Sequence, residues 1–367
     1  MKGEIFIIYL DNAATTPLSE AAKQAIVEHL DDYGNPSSSY EFARKSRMII
    51  EDARARIAKC INADPDEIFF TSGGSEANSW VTSQYVTISS PIEHHSLKAH
   101  YNKVLIGRDG VINTQHFSHI NYPKPKMFDI MSCMYVNNEI GTIQPVKEIA
   151  KIAHGKKMLF HVDAVQAVGH IPVDVKSIGC DMLSASGHKF GAPKGIGFLY
   201  IKNGTKVTSL INGGLQEQGL RGGTENILGI VAMASALEDA VANMADRHKH
   251  VKALRDKMLS KLINVDGFYI NGSMARRTAS NLNIGFAGVP GARLVALCDM
   301  YGVCISAGSA CNEGSATPSH VLKAIGLTDE DALNSIRITI GHQNTEEEIN
   351  TAVELIIKLV ERIRRDV

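Results

Sequence analysis

A lysine stands between two glycines at the end of an apolar stretch, in Asp181-Met-Leu-Ser-Ala-Ser-Gly-His-Lys-Phe-Gly191. The residues from 181 to 185 predict a buried strand, so Lys189 follows that strand directly. Lysine resists burial unless it is paired or takes part in chemistry. A solvated lysine in a surface turn is the simpler interpretation of Gly-His-Lys alone, because short motifs often arise by chance. The polar residues that follow other strands decide between the two interpretations.

Polar groups follow three more of the apolar stretches. Asp163 and Asn138 each come after one, and Gly74 with Ser75 come after another. The run that begins at Gly74 is compatible with a helix, whose first N–H groups and dipole suit a phosphate. Ligand-binding residues collect where the strands of a parallel sheet end. We therefore expect these residues and Lys189 to lie at one edge of a sheet.

A lysine, an aspartate and an anion-binding turn at strand ends are what pyridoxal 5'-phosphate requires. The lysine forms a Schiff base, the aspartate keeps the pyridine nitrogen protonated and the turn holds the phosphate. Taken alone, Asp163 is equally typical of a helix cap or a structural salt bridge, and Gly74-Ser75 of a plain strand-to-helix turn. The agreement of all three favours a site for this cofactor.

The elements that would position these residues form an α/β pattern, in which apolar strands alternate with helices. Such alternation predicts a mainly parallel sheet covered on both faces. After residue 267 the pattern changes to a smaller α+β unit. We expect a large cofactor-binding domain of residues 16–245 and a small domain of residues 1–15 and 246–367. The predicted strands are 7–10, 67–71, 85–88, 127–134, 158–162, 181–185, 195–201, 280–286, 302–306 and 334–340, and the main helices are 19–30, 40–60, 145–153, 227–262 and 345–364.

Composition excludes several classes of protein. The 367 residues carry a formal net charge of -1 and 21% charged residues, so global basicity does not indicate nucleic-acid binding. The six cysteines form no Cys-x-x-Cys pair, which argues against a zinc ribbon or a thioredoxin-type site. No apolar run reaches transmembrane length, and the apolar residues 5–10 are too few for a secretory signal. We expect a cytoplasmic protein without a membrane partner or a bound metal.

These stretches resemble the class V aminotransferase family, and within it the cysteine desulfurases of the nitrogen-fixation and iron–sulfur-cluster type. The resemblance implies pyridoxal-phosphate fold type I and L-cysteine as substrate. It runs almost from end to end, through Tyr9-Leu-Asp-Asn-Ala-Ala-Thr-Thr-Pro17, Gly34-Asn-Pro-Ser37, Phe70-Thr-Ser-Gly73, Glu93-His94, Val136-Asn-Asn-Glu-Ile-Gly141, His161-Val-Asp163, Ser186-Gly-His-Lys189, Gly223-Thr-Glu-Asn226, Gly308-Ser-Ala-Cys311 and Ser335-Ile-Arg337.

The resemblance implies a role for each matching residue. Lys189 carries the cofactor, Asp163 pairs with its pyridine nitrogen, and His94, chosen over His95, stacks on its ring and assists proton transfer. The lone histidines 161, 170 and 320 are taken as structural. Four residues hold the phosphate: Gly74, Ser75, Ser186 and His188.

Four further residues complete the implied site. Gln166 and Asn138 lie on the side of the ring oxygen, and Arg337 binds the substrate carboxylate, with Asn138 beside it. The planar guanidinium group of arginine suits a carboxylate. Thr224 resembles a residue that reaches the phosphate of a neighbouring subunit, which implies a homodimer with shared sites.

Cys311 lies in Ala307-Gly-Ser-Ala-Cys-Asn-Glu-Gly-Ser-Ala316, a run of small and polar residues that predicts an exposed loop. An exposed cysteine is a nucleophile once it is a thiolate, whereas an incidental surface thiol is the simpler interpretation of the loop alone. The resemblance implies that Cys311 attacks the sulfur of cysteine after Lys189 removes the α-proton. Alanine and a Cys311 persulfide result. The loop resembles the longer one of the iron–sulfur-cluster group, which implies transfer to an acceptor protein.

Two other functions fit the same sequence. Selenocysteine lyase or another β-lyase would use the same scaffold, and a non-catalytic sulfur-transfer scaffold would need no cofactor. For the acceptor, the sequence does not choose between an iron–sulfur scaffold, a tRNA-thiolation enzyme and a partner in DNA sulfur modification. The chain departs from the family pattern at four positions, which affect the acceptor surface and subunit contacts: Leu215, Gln218, Gly222 and His342.

Overall fold

A six-stranded sheet forms the centre of the protein. The structure is a computed structural model that describes residues 7–97, 99–101, 104–119, 129–307 and 317–366. The sheet has the order β2-β7-β6-β5-β4-β3, and β7 alone runs antiparallel to the other five. The mainly parallel sheet between helices is thus confirmed, with one reversed strand that the sequence did not predict. Its strands are β2 (Ile68–Thr71), β3 (Val86–Ser89), β4 (Asp129–Met134), β5 (Leu159–Asp163), β6 (Met182–Ser186) and β7 (Gly197–Ile201).

Two smaller sheets lie outside this centre. β1 (Ile8–Tyr9) pairs in parallel with β10 (Val303–Cys304). An antiparallel sheet has the order β11-β9-β8, formed by β8 (Phe268–Ile270), β9 (Asn281–Phe286) and β11 (Ser335–Thr339). The first described residues of the chain therefore join strands that come some 300 positions later.

Helices cover these sheets, and several begin where the sequence predicts. Ser19 caps α1 by accepting the N–H of Ala22, and Thr345 with Glu348 forms a capping box at the start of α12. The helices are α1 (Glu20–Glu28), α2 (Glu41–Cys60), α3 (Gly74–Gln84), α4 (Thr114–His119), α5 (Val146–Gly155), α6 (Val175–Ile178), α7 (Ile227–Ala242), α8 (Met244–Leu262), α9 (Gly291–Met300), α10 (His320–Ala324), α11 (Asp329–Leu333) and α12 (Glu346–Arg365).

One predicted helix was wrong in its extent. The region 227–262 is two helices, α7 and α8, which meet at Asn243 with a bend of 70°. The composition changes there, because α7 is almost wholly apolar and buried whereas α8 is rich in charged residues. Each helix thus packs on a different core, α7 on that of the central sheet and α8 on that of β9 and β11.

Two main groups of buried apolar side chains form the cores. One packs α1, α2, α5 and α7 against the central sheet. The other packs α8, α9 and α12 against β9 and β11, and it includes Ile8 and Leu10. This distribution supports the division into residues 16–245 and residues 1–15 with 246–367, which we retain as a proposal.

In the part of the chain that the structure describes, no single helix has both the length and the apolar composition to cross a membrane. The bent pair α7 and α8 has that length and composition only when its two helices are counted together.

Candidate active site

Lys189 lies in a short 3-10 turn, Gly187–Lys189, directly after β6. Its Nζ donates to the carbonyl oxygens of Ala13 (2.6 Å) and Ala14 (2.8 Å). The backbone at Gly187 is close to Ala192, because a Cβ added there would lie 2.9 Å from the Ala192 Cβ. The lysine is half-buried, and its amine donates to these backbone oxygens.

The first turn of α3 faces the end of β6. Gly73, just before the helix, has a φ of +152°, which L side chains rarely adopt. A Cβ added at Gly74 would lie 2.5 Å from Cγ2 of Val165 and 3.5 Å from Cβ of Ser186. The N–H groups of Gly74 and Ser75 have no acceptor within the helix, because the first turn lacks preceding carbonyls. The structure brings these residues and Ser186 together in a cradle suited to an anion.

Asp163 ends β5 and is buried. Its Oδ2 accepts the side-chain amide of Asn78 at 2.7 Å, and its Oδ1 accepts the N–H of Val165 at 3.0 Å. Asn78 lies one turn after Gly74 on α3. The aspartate is thus held by donors, one of which belongs to the helix that begins at the anion cradle.

His94 lies in the loop after β3, where its Nδ1 is 2.7 Å from the hydroxyl of Ser96. Burial lowers the pKa of the His94 imidazole, and the positive charge of Lys189 lowers it further, whereas Asp163 opposes the shift. The neighbouring His95 is exposed, and its ring lies against that of His320 with centroids 4.6 Å apart. Of the two histidines, His94 is therefore the one whose ring interacts electrostatically with Lys189 and Asp163.

Glu93 precedes His94 and is fully buried. Its Oε2 accepts the N–H of Met134 at 2.7 Å, and the hydroxyl of Ser90 donates to its Oε1 at 2.5 Å. Burial raises the pKa of the Glu93 carboxyl to about 8, and the nearby Asp163 raises it as well. At neutral pH this carboxyl is therefore mainly protonated.

Arg337, on β11, is 1% exposed and already has a carboxylate partner. Its Nη2 lies 2.8 Å from Oδ1 of Asp11, and its Nη1 donates to the carbonyl oxygen of Asn138 at 3.1 Å. Its Nε has no partner among the described residues. Gln166 donates to the carbonyl of Ala13, the same oxygen that Lys189 uses. Residues 11–14 thus connect Lys189, Gln166 and Arg337.

The remaining predicted residues are less closely joined to this group. The ring of His188 turns to Thr15, with Nδ1 at 3.1 Å from the Thr15 hydroxyl, and burial lowers the pKa of His188 to about 4. Thr224 is exposed in the loop before α7. Cys311 lies outside the described residues, so the prediction about its loop stays a prediction.

A cavity of about 330 Å³ opens beside this group. It is lined by Lys189, Gln166 and Asn138 together with His170 and His342. His170 Nε2 lies 2.7 Å from the carbonyl oxygen of Lys189. The cavity therefore lies between Lys189 and the end of β11, because Thr339 also lines it.

These residues fit pyridoxal phosphate. A primary amine, an aspartate that accepts from neutral donors and a glycine-lined helix start surround one edge of the sheet. They correspond to the aldehyde, the ring nitrogen and the phosphate of the cofactor. The sequence alone did not indicate the partners Asn78, Ser96 and Asp11. Asn78 could have been found from its position four residues after Gly74, since such residues share a helix face.

Comparison with known proteins defines the class. The family model for class V aminotransferases matches residues 8–351. The chain is 40% identical over 97% of its length, and 95% of the relative's, to a protein named cysteine desulfurase IscS from Dictyoglomus turgidum. The chain belongs to the class V aminotransferase family, and the resemblance drawn from its sequence motifs is confirmed.

Solved structures agree with the sequence relatives. A protein described as NifS-like superposes with a TM-score of 0.89 at 32% identity, over 97% of this chain and 100% of the other. A protein named SspA, solved in complex with cysteine, has a TM-score of 0.77 at 32% identity, over 92% of this chain and 99% of the other. The fold class predicted from the sequence is confirmed.

Proposed function

We propose that this protein is a cysteine desulfurase, which converts L-cysteine to L-alanine and keeps the sulfur as a persulfide. One observation carries the proposal: Lys189, Asp163 and the first turn of α3 meet at one edge of the central sheet. The relative from Dictyoglomus turgidum supports the reaction, and the cysteine complex of SspA supports the substrate.

Bound pyridoxal phosphate would supply an aldehyde that condenses with amines and a ring that takes up electrons. In the proposal Lys189 holds that aldehyde, and Asp163 keeps the ring nitrogen protonated. Gly74, Ser75 and Ser186 hold the phosphate, together with His188. His188 would use its Nε2 for this, because its Nδ1 contacts the hydroxyl of Thr15.

The amine and carboxylate of cysteine are bound on the other side of the site. Arg337 pairs with the carboxylate, which adds to or displaces its contact with Asp11. Asn138 and Gln166 lie on the side of the ring oxygen, and both line the cavity with Lys189. Lys189 Nζ accepts the α-proton, and His94 serves as the second acid–base group.

Cys311 receives the sulfur. Its thiolate attacks the sulfur of the substrate, the carbon–sulfur bond breaks and a sulfur–sulfur bond forms. The β-carbon gains a proton and leaves as the methyl group of alanine, so that no external oxidant is needed. An acceptor protein, either an iron–sulfur scaffold or a thiolation enzyme, then takes the outer sulfur.

The proposal includes a homodimer in which Thr224 reaches the phosphate of the partner subunit. Exposed apolar side chains between the end of α1 and the start of α2, and in the 212–223 loop, support an interface on this side of the chain. They include Tyr33 and Phe42, whose rings lie 4.9 Å apart, and Leu215, which is 91% exposed.

Substitutions at the two reacting side chains test the function. The purified protein should form equal amounts of alanine and sulfide from L-cysteine and a reductant, measured by amino-acid chromatography. We expect Lys189→Ala to lose at least about a thousandfold of this activity, since it removes both the covalent anchor and the base. Lys194→Ala, in the same glycine-rich segment, is the matched control and should retain it.

Cys311→Ala separates the candidate functions. It should still bind pyridoxal phosphate but lose labelled persulfide and alanine formation, whereas Cys304→Ala should keep both. Alanine formed from cysteine by Cys311→Ala at the original rate would contradict the persulfide step. Activity with selenocysteine alone would favour selenocysteine lyase, and failure of the unaltered protein to bind the cofactor would favour a non-catalytic scaffold.

A further inference from the structure

A chain of hydrogen bonds joins the ring of His94 to the carboxylate of Asp163. The side-chain Nδ2 of Asn78 lies 2.7 Å from Asp163 Oδ2 and 2.9 Å from the hydroxyl oxygen of Ser96. That hydroxyl lies 2.7 Å from His94 Nδ1. Four side chains from α3, the 94–97 turn and the end of β5 thus form one continuous path.

The direction of each bond in this path is fixed by chemistry. An ionised carboxylate accepts only, so the amide group of Asn78 that faces Asp163 is its NH₂. The second hydrogen of the same NH₂ goes to Ser96 Oγ, which leaves the Ser96 hydroxyl hydrogen free for His94. The Oδ1 of Asn78 is buried without a partner among the described residues, although an unpaired buried acceptor is costly. The asparagine therefore uses its donors and leaves its acceptor unused.

The backbone settles which nitrogen of His94 carries the proton. The N–H of Ser96 lies 3.1 Å from His94 Nδ1 and can only donate. Nδ1 is thus an acceptor from two groups of Ser96, and the neutral ring carries its proton on Nε2. Protonation of Nδ1 would set the backbone N–H of Ser96 against another N–H, because that backbone group cannot reverse its role as the hydroxyl can.

We propose that Ser96 and Asn78 are positioning residues that fix His94 as the neutral Nε2–H tautomer and couple it to Asp163. The proposal rests on the proposed function, in which His94 and Asp163 serve the same cofactor ring. Through the path, the carboxylate that holds the ring nitrogen and the histidine that moves protons share one set of donors. A change in the charge of either is felt by the other.

The surroundings of His94 act in the same direction. Lys189, His95 and His320 face its ring and disfavour a positive charge, whereas Asp163 favours one. Burial lowers the pKa of His94 more than any of these charges changes it. A neutral ring with a proton on Nε2 is therefore the form at neutral pH, and Ser96 keeps that proton on one side.

A purely structural role for Ser96 would be to close the 94–97 turn. The turn is closed by the backbone, because the N–H of Leu97 donates to the carbonyl of His94 at 2.9 Å. The backbone N–H of residue 96 also remains in the alanine and threonine variants. Ser96→Ala therefore removes the hydroxyl from the path and leaves the turn closed.

The test measures the His94 ring directly. The full-length, cofactor-loaded protein is labelled with ¹⁵N in its histidine rings, and His94→Asn assigns the signals. We expect Nε2–H with a bare Nδ1 in the unaltered protein. Ser96→Ala should raise the pKa of His94, because Nδ1 loses one donor, and Ser96→Thr should restore the original value. Ser83→Ala, which removes a hydroxyl from α3 outside the path, is the matched control.

Turnover gives a second measurement. Ser96→Ala should lower kcat for cysteine about tenfold with KM unchanged, and should move the acidic limb of the kcat profile to higher pH. The proposal is overturned by an Nδ1–H tautomer in the unaltered protein, or by a His94 pKa that Ser96→Ala leaves unchanged. The ¹⁵N signals of the His94 ring can be measured whether or not the protein turns over cysteine. A protein with the expected tautomer that releases no alanine would contradict the proposed function and leave the path intact.

Discussion

At the scale of single residues, Glu93 is a buried carboxyl group that forms no ion pair with any residue in the described part of the chain. Ser90 and Met134 donate to it, and burial raises its pKa to about 8 from an ordinary value of 4.5. In the unfolded chain the same group ionises near its ordinary pKa. Between these two values the folded state holds a proton that the unfolded state has released. Stability conferred by this group is therefore complete below about pH 4.5 and is lost as the pH rises towards 8.

Glu93→Gln should remove that dependence. Glutamine keeps an acceptor for Met134 and a polar group for Ser90, but it does not ionise. As the pH rises from 5 to 8, we expect the thermal midpoint of the unaltered protein to decrease relative to that of the variant. Scanning calorimetry measures both midpoints. Glu20→Gln, at an exposed position on α1, is the control. Parallel pH curves for the protein and its Glu93→Gln variant would contradict the raised pKa.

For single residues, the sequence predicts the positions of the site residues better than it predicts their hydrogen-bond partners. The positions of Lys189 and Asp163 at strand ends could be predicted, because apolar strands are visible in the sequence and their ends carry ligands. The contact of Asp11 with Arg337 could not, since it joins residues 326 positions apart through the meeting of two sheets. A long-range pair of this kind has no local signal.

At the scale of elements, a buried ion pair fixes the turn at 216–219. Both guanidinium Nη atoms of Arg54 on α2 lie 2.8 Å from the carboxylate of Glu217, which also accepts the N–H of Phe70 on β2. Glu217 and Gln218 have φ values of +46° and +57°, which non-glycine residues rarely adopt. The pair therefore holds a strained turn against the edge strand of the central sheet.

Glu217→Gln should destabilise the protein by about 3 kcal/mol, because it leaves the buried charge of Arg54 without its carboxylate. Glu238→Gln breaks a second pair on α2, that of Arg56, in which both partners are only half-buried. That control should cost at most about 1 kcal/mol. Denaturant unfolding of the three proteins measures both values, and equal losses for the two variants would contradict the role assigned to burial.

Two apolar residues of the predicted helices 19–30 and 40–60 do not face the core. Leu30 falls in the apolar stripe of the first helix and Phe42 in that of the second, yet both are exposed in the single chain, whereas Ile50 and Ile57 are buried. Both lie close to the ends of their helices, where the chain leaves the core. A periodic pattern identifies apolar positions without saying which surface covers them. This difference bears on the assembly of the whole molecule.

At the scale of the whole molecule, the exposed aromatic pair Tyr33 and Phe42 and the exposed Leu215 mark the surface that the proposed dimer would bury. The amide of Gln216 lies 3.4 Å from the hydroxyl of Ser37, so this loop is next to the start of α2. Large exposed apolar patches mark interaction sites. Thr224 belongs to the loop that leads from this region into α7.

Phe42→Glu should therefore convert the dimer to monomers, since a charge in an apolar interface has no partner there. Sedimentation at micromolar concentration measures the mass. Affinity for the cofactor should fall with the mass, because Thr224 would no longer reach the partner's phosphate. Met300→Glu, at an exposed apolar position on α9, is the control and should leave both unchanged. A dimeric Phe42→Glu protein would contradict the interface, and a monomer with unchanged affinity would contradict the role of Thr224.

The overall architecture could be predicted further than its details. Alternating strands and helices indicated the central sheet, but the reversed direction of β7 has no signal in apolar residues alone. β7 follows β6 after a short glycine-containing segment and pairs with it directly. A parallel neighbour would have needed a long crossover, so the ten residues between Ser186 and Gly197 could have indicated the reversal.

The carbonyls that hold Lys189 belong to residues 13 and 14, just after the strand that pairs with Val303 and Cys304. During synthesis these early residues leave the ribosome long before the strands that fix them. The core around β2 to β7 lies between residues 68 and 201, whereas the strand that pairs with β1 comes about a hundred positions later. Because contacts so distant in sequence form slowly, we expect the pairing of β1 with β10, and with it the final placement of the carbonyls that hold Lys189, to be a late step of folding.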